Sequence, residues 1–274
     1  MNLTITSSQQ HPADFSCNVL DALDLDEGYE VAVTRVFHAP IFNVTERNNK
    51  FSLLKENSHI VNGVKINSGK TLIEHFIPPG YYATTCDVLV AIYNELEESR
   101  KRGHNGSGVG ALVLKKPKLT YSSNGSETIT LKLVDSGVKF LVDRERDGDN
   151  ILLFLLGYCF DDEIGQLTVN NYPFEISPIP GFLYSNIVEN SYINEQRSRL
   201  LSIVPVYSKR GYNCYEFTNP IYSPLSAHSF VDVNFKLLDI HGDALKMDPV
   251  YTTWYGTNTV IYPTIIMLHI RRML

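Results

Sequence analysis

The 274-residue sequence contains one tryptophan and four cysteines. The cysteines, Cys17, Cys86, Cys159 and Cys214, are widely spaced and form no C-x-x-C, so a zinc site has little support. They read as reduced thiols of a chain folded in the cytosol or nucleus, with two disulfides as the minor alternative. A basic excess is also missing: 24 Lys and Arg stand against 30 Asp and Glu, a formal net charge of −6. That balance would release few counterions from phosphates, so direct nucleic-acid binding is not expected. Long apolar runs are absent. The longest, Ile151 to Phe160, is interrupted by Gly157 and falls well short of the roughly 20 residues of a membrane span. The first fifteen residues show no basic start followed by an apolar stretch, so no secretory signal is read there. The sequons beginning at Asn2, Asn43, Asn105 and Asn124 are then expected to stay unmodified.

What is present points to a folded, strand-rich chain. Hydrophobic residues make up 43% and charged residues 20%, which argues against disorder. The 16 Tyr and 13 Phe suit strands and contact surfaces better than helical bundles. Many of the tyrosines, including Tyr81, Tyr82, Tyr158, Tyr172, Tyr207, Tyr212, Tyr222 and Tyr262, fall in loops or at strand ends. There they either supply contact area or close the ends of a sandwich.

Tyr29 to Phe37 is rich in β-branched residues and reads as a core strand, ended by Pro40. Phe51 to Leu54, Ile60 to Ile66 and Thr71 to Ile77 read as shorter strands, and Pro78-Pro79-Gly80 forces a change of direction. Val88, Leu89, Ile92 and Leu96 recur at helical spacing after Thr84 or Thr85, either of which can cap the helix; Asp87 lies in its first turn and Gly103 stops it. Asn124-Gly125 between Leu119 to Tyr121 and Thr128 to Val134 signals a hairpin, to which Val138 to Val142 could add a third strand. Ile151 to Gly157 reads as a short buried helix. Strands return at Leu183 to Val188, Leu200 to Val206, Tyr215 to Phe217, Phe230 to Leu238 and Val260 to Arg271. In Phe230 to Leu238 the pattern places Val231, Val233, Phe235 and Leu237 on one face. Two sheets of about four strands would cover each other's apolar faces.

Catalytic motifs are scarce. Gly63 to Thr71 (GVKINSGKT) approaches a phosphate-binding loop, but five residues instead of four separate Gly63 from Gly69, so the amides cannot wrap one phosphate. A hairpin turn at Asn67 to Gly69 is the simpler reading. His241 between Asp239 and Asp243 could suggest a metal, yet an Asp- and Gly-rich turn gives the same letters. His38, His75 and His269 sit on strands. No Ser occupies a G-x-S-x-G elbow. No catalytic, cofactor-binding or metal-binding residue is assigned, no cofactor is implied, and the chain is not expected to be an enzyme.

The order of segments resembles the penton, or minor capsid, protein family of Polinton (Maverick) elements and adintovirus-like viruses. The resemblance rests on Ala13 to Pro40, Ile77 to Leu96 (IPPGYYATTCDVLVAIYNEL), Leu119 to Leu133, the leucine-rich segment from Ile151, Leu183 to Val206, Tyr222 to Gly242 and Ile265 to Arg271. Tyr29 stands where the family usually has Trp, residues 247–263 are an insertion before the last strand, and Asp143 to Asp149 matches poorly. The resemblance implies a mainly all-β fold: a single jelly-roll β-sandwich over residues 1–77 and 166–274, interrupted at 78–165 by an α/β helix-hairpin-helix segment. It also implies a capsid subunit, similar to adenovirus and virophage pentons, that forms a homopentamer at five-fold vertices. Its partners would be the major capsid capsomers, with a host receptor or fibre as a further candidate, and its place the virion capsid after assembly inside the host cell. A β-sandwich module that binds a glycan or host receptor is the alternative.

Overall fold

Strands dominate the structure, as the β-branched and aromatic content predicts. The computed structural model describes all residues except 8–11, 26–27, 62–63, 104–113, 122–126, 135–136, 143–150, 159–161, 194–195, 228, 249, 253–258 and 274. The first part of the chain forms β1 (Asn2–Thr6), β2 (Asp14–Asp24), β3 (Tyr29–His38), β4 (Lys50–Val61), β5 (Val64–Phe76) and α1 (Thr85–Gly103). There follow β6 (Leu114–Tyr121), β7 (Glu127–Leu133), β8 (Val138–Val142), α2 (Ile151–Leu155), β9 (Asp162–Ile164) and β10 (Gln166–Asn170). Next come β11 (Ile179–Ser185), β12 (Ser191–Ile193), β13 (Gln196–Ser198), β14 (Leu200–Val206), β15 (Asn213–Glu216) and β16 (Ser223–Pro224). The last elements are β17 (Ser229–Leu238), β18 (Val250–Thr252), β19 (Thr259–Ile261) and β20 (Ile265–Arg272). They divide into two compact units, Met1–Phe42 with Glu175–Leu274, and Asn43–Phe174.

The first unit is a jelly roll. One sheet runs β1-β20-β3-β15, with β16 also on β3, and the other runs β14-β11-β17-β2. The antiparallel pairs are nested: β1 with β20, β2 with β17, β3 with β15, and β11 with β14. The chain is thus one long hairpin rolled up, and the lateral pairs β20–β3 and β11–β17 hold the roll closed. Inward side chains alternate along the strands: Val31 and Val33 on β3, Ile266, Leu268 and Ile270 on β20, and Val233, Phe235 and Leu237 on β17, all within one buried cluster. Each such side chain removed from water contributes about 1.5–3 kcal/mol. Phe15 stacks on Phe235 at 5.6 Å. On β11 the backbone comes so close to the core that a Cβ on Gly181 would lie 3.0 Å from the Leu237 and Val206 side chains.

The expected single face of Phe230 to Leu238 is corrected by a break in register. The register of β17 on β2 shifts between Phe230 and Asp232, which buries Phe230 and turns Val231 outward. Between those pairs β17 advances two residues while β2 runs from Leu23 to Asn18, and along β17 the burial parity reverses there.

The second unit is an insertion between β3 and β11. Its boundaries, 43 and 174, correct the expected 78 and 165. The reason is pairing: β4 and β5 form one long hairpin that belongs to the sheet β5-β4-β8-β9, with Ser52 opposite Leu141, so the segment before residue 78 folds with the insertion. The short strands expected within residues 51–77 are merged in that hairpin. Likewise β8, expected beside the β6–β7 hairpin, joins β4, while β10 takes its place beside β7. The α1 helix starts with a reciprocal cap: the Asp87 amide donates to Thr84 Oγ1 (3.2 Å) and the Thr84 amide donates to Asp87 Oδ2 (2.9 Å). Val88, Leu89, Ile92 and Leu96 are fully buried in the core shared with Phe51, Leu53, Phe140 and Leu152.

Asn43, the first residue of this unit, also closes it. Its Nδ2 donates to the carbonyls of Tyr82 (2.7 Å) and Phe174 (2.6 Å), and its Oδ1 accepts from the Tyr82 amide (2.9 Å). The side chain is wholly buried, so the sequon there is closed to modification in the folded state.

Candidate interaction surface

The segments that sequence patterns single out for chemistry are occupied by structure. Val64 to Thr71 lies within β5, paired residue by residue with β4, so it forms no phosphate loop before a helix. The chain reverses between Val61 and Val64, not at Asn67 to Gly69; there β5 carries a bulge, with Asn57 opposite Gly69 and Ser58 opposite Asn67. Gly69 has φ 126°, which only glycine adopts at low cost. His241 sits in a turn whose Asp239 Oδ1 accepts the amides of His241 (2.8 Å) and Asp243 (3.0 Å). Among the described residues no group of three or more His, Cys, Asp or Glu is placed to hold a metal. Cys17, Cys86 and Cys214 are free thiols, and burial pushes Cys86 up to about 11. Cys159 and the loop Asp143 to Asp149 lie outside the described residues, as does the Asn124-Gly125 turn.

One polar constellation escapes sequence reading because its members come from β5 and α1. Ser99 Oγ lies 3.4 Å from His75 Nδ1 and donates to Glu95 Oε1 at 2.9 Å, while Glu95 Oε1 is 3.6 Å from the same Nδ1. Arg102 Nη2 donates to Glu95 at 3.0 Å. A hydroxyl relay needs the imidazole between hydroxyl and carboxylate, one on each nitrogen. Here both sit at Nδ1, and Nε2 is buried without a partner. The cluster ties the helix to the hairpin. Burial lowers the pKa of His75 against the opposing pull of Glu95.

The outward faces of the jelly roll are less uniform than a solvated sheet. On the β14-β11-β17-β2 sheet, Ile203 stands opposite Phe182, and Phe182 opposite Leu238. Ile203 is 51% exposed, and Ile240, just beyond Leu238, 72% exposed. Pro205 and Pro180 form the next row. The other half of this sheet is polar, with Lys236 paired to Asp14 at 3.2 Å.

The β1-β20-β3-β15 sheet carries an aromatic group at one end. Phe37 and Tyr212 are 5.6 Å apart, and Tyr212 stacks on Tyr262 at 5.1 Å. The Tyr212 hydroxyl donates to the Pro263 carbonyl at 2.6 Å, and burial pushes its pKa up to about 12. Further along the sheet, Tyr222 Oη and His269 Nδ1 lie 2.7 Å apart and Arg271 covers the Tyr222 ring at 3.6 Å. Arg271 also donates to Glu30 at 2.7 Å, and Arg35 to Glu216 at 2.7 Å.

The loop tyrosines therefore divide between the two roles. Tyr207 stacks on buried His38, Tyr158 bonds the Thr168 backbone and Tyr82 donates to the Pro78 carbonyl, all structural closures. Tyr212 and Tyr172 keep exposed surface. In the inserted unit a shallow cavity of about 280 Å³ is lined by Lys132, Leu133, Val138, Lys139, Ile164 and Gln166. Lys139 and Lys70 both bond Glu163 beside it, and these bonds lower the Glu163 pKa. Among the described residues no helix is long and apolar enough to cross a membrane.

No protein-family model matches the sequence, and no curated protein sequence does. Among solved structures the chain is similar to the crystal structure of SeMet-labelled mavirus penton protein, with a TM-score of 0.50 and 12% identity, covering 100% of this chain and 99% of that one. The likeness spans sandwich and insertion together, and what it establishes is the mainly β, jelly-roll fold.

Proposed function

We propose that the protein is a structural capsid subunit, a penton or minor capsid protein that forms five-fold vertices. The observation that supports this reading is the full-length likeness to a penton protein, which extends through the inserted unit. The work of such a subunit is geometric. A sandwich with a filled core is a stiff wall, and its outer faces and loops are free to fit neighbours. The protein then assembles inside the host cell as a homopentamer among major capsid capsomers and resides in the virion capsid, where its loops could meet a host receptor or fibre. No catalytic step is assigned to it. Origin in a Polinton or adintovirus-like virus follows the sequence resemblance.

Electron microscopy and native mass spectrometry of the purified full chain test the reading. Five-fold rings and a pentamer mass are expected at high concentration. A chain that stays monomeric at every concentration, and binds specific glycans as a monomer, would replace the capsid reading with that of a binding module.

A further inference from the structure

We propose that His75 is an acid-operated latch inside the inserted unit: when its ring takes a second proton, the C-terminal half of α1 parts from the β4–β5 hairpin while the N-terminal half stays docked. The latch is internal to the unit and needs no neighbouring copy. The ring is buried near the end of β5 and stacks on Phe51 of β4 at 5.3 Å. Its Nδ1 lies 3.4 Å from Ser99 Oγ and 3.6 Å from Glu95 Oε1, both on α1. Ser99 donates its single hydroxyl proton to Glu95 at 2.9 Å, so towards His75 its oxygen accepts, and Nδ1 carries the ring proton. Nε2 is then a bare lone pair, buried with no partner among the described residues. A second proton must land on Nε2, and it would leave a cation and an unmatched donor in the core.

The charges around the ring do not offset that cost. Glu95 and Arg102, both on α1, are the charged groups that act on it. Glu95 pulls towards the protonated form, but 3.6 Å is too long for a hydrogen bond, and the same oxygen already accepts from Ser99 and from Arg102 at 3.0 Å. Arg102 repels a second positive charge. On the sheet, Lys50 pairs with Glu74 at 2.7 Å and Lys139 bonds Glu163 at 3.0 Å; by register these residues occupy the face opposite His75. Burial outweighs the pull of Glu95 and lowers the ring's pKa below 6.5. The N-terminal half of α1 is held differently. Thr84 and Asp87 cap it, the Thr85 amide donates to the Tyr172 carbonyl at 3.0 Å, and Asn43 bonds Tyr82 just before it. No histidine takes part in those ties, so an acid step at His75 acts on one half of the helix.

Hydrogen exchange of the full chain at pH 7.5 and 5.5 tests the latch, with rates expressed as protection factors to remove the intrinsic effect of pH. With an open-state pKa near 6.5 and no proton taken up by the closed state, opening rises about tenfold over this interval. Protection of residues 95–101 and 72–76 is expected to fall by about that factor, and that of residues 88–92 to hold. His75→Phe, an aromatic ring that cannot take a proton, is expected to abolish the fall. Should it fail to fold by circular dichroism at pH 7.5, His75→Gln replaces it. Glu95→Gln is expected to keep the fall, because the imidazole and not the carboxylate is the switch. Unchanged wild-type protection, or a fall that persists without His75, overturns the latch. A fall shared equally by residues 88–92 overturns the local opening, and a fall abolished by Glu95→Gln overturns the assignment to His75.

Discussion

His38 should make the jelly roll sensitive to mild acid. Its ring is wholly buried on β3, stacked on Tyr207, with Nδ1 2.6 Å from the Ala39 carbonyl. Nδ1 therefore carries the proton, and Nε2 is buried with no partner. Protonating Nε2 would place a cation and an unmatched donor in the core, so burial lowers the folded-state pKa below its ordinary value of 6.5, against a smaller raising pull from the Ala39 carbonyl. The unfolded chain then binds a proton that the folded chain refuses. Stability is complete above pH 6.5 and declines as the pH falls below it. If the folded state takes up no proton between pH 7.5 and 5.5, the loss over that interval is about 1.4 kcal/mol, tenfold in the folding constant. Urea denaturation followed by circular dichroism at the two pH values measures it, with His38→Phe as the control. The variant loses the Ala39 hydrogen bond, worth about 1 kcal/mol at either pH, but also the pH-dependent part. The difference in stability loss between wild type and variant isolates His38 from His75 and the carboxylates. Equal losses in the two proteins would refute the reasoning.

Two further substitutions test the packing of each unit. Val33→Asp places a carboxylate in a site only 2% exposed between the two sheets, and should cost more than about 4 kcal/mol and abolish the cooperative melt of soluble protein; a folded variant would contradict the placement of β3. Asn43→Ala leaves the half-buried Tyr82 amide and carbonyl and the buried Phe174 carbonyl without this partner, a loss of about 3 kcal/mol, read as lower thermal stability and faster limited proteolysis within residues 43–174.

How much of this could be read from the residues depended on how local the cause was. The α1 start was legible because its cap, Thr84 with Asp87, spans three residues and obeys side-chain chemistry available at once. The β14 strand has the expected limits, Leu200 to Val206, although its alternation breaks between Leu201 and Val204. Val231 was misread because the register irregularity between β17 and β2 leaves no mark in the hydrophobic pattern. The unit boundary was misread for a different reason. Nothing between residues 50 and 76 says that β4 will pair with β8, some eighty residues later, and not with the jelly roll.

The apolar rows of the outer faces show the same limit. Ile203, Phe182 and Leu238 are each ordinary residues in their own strands, and they become one patch only when three strands from distant parts of the chain lie side by side. The Ser99–His75–Glu95 cluster likewise exists only after α1 packs on the hairpin. By itself the sequence determined the balance of strand to helix, the cap of α1 and the mainly β sandwich. These follow from the conformational preference and polarity of neighbouring residues. The tertiary structure alone decided the nesting of pairs, the register and the faces presented to solvent. Strand pairing joins residues far apart in the chain, and its parity turns on register irregularities that no local pattern records.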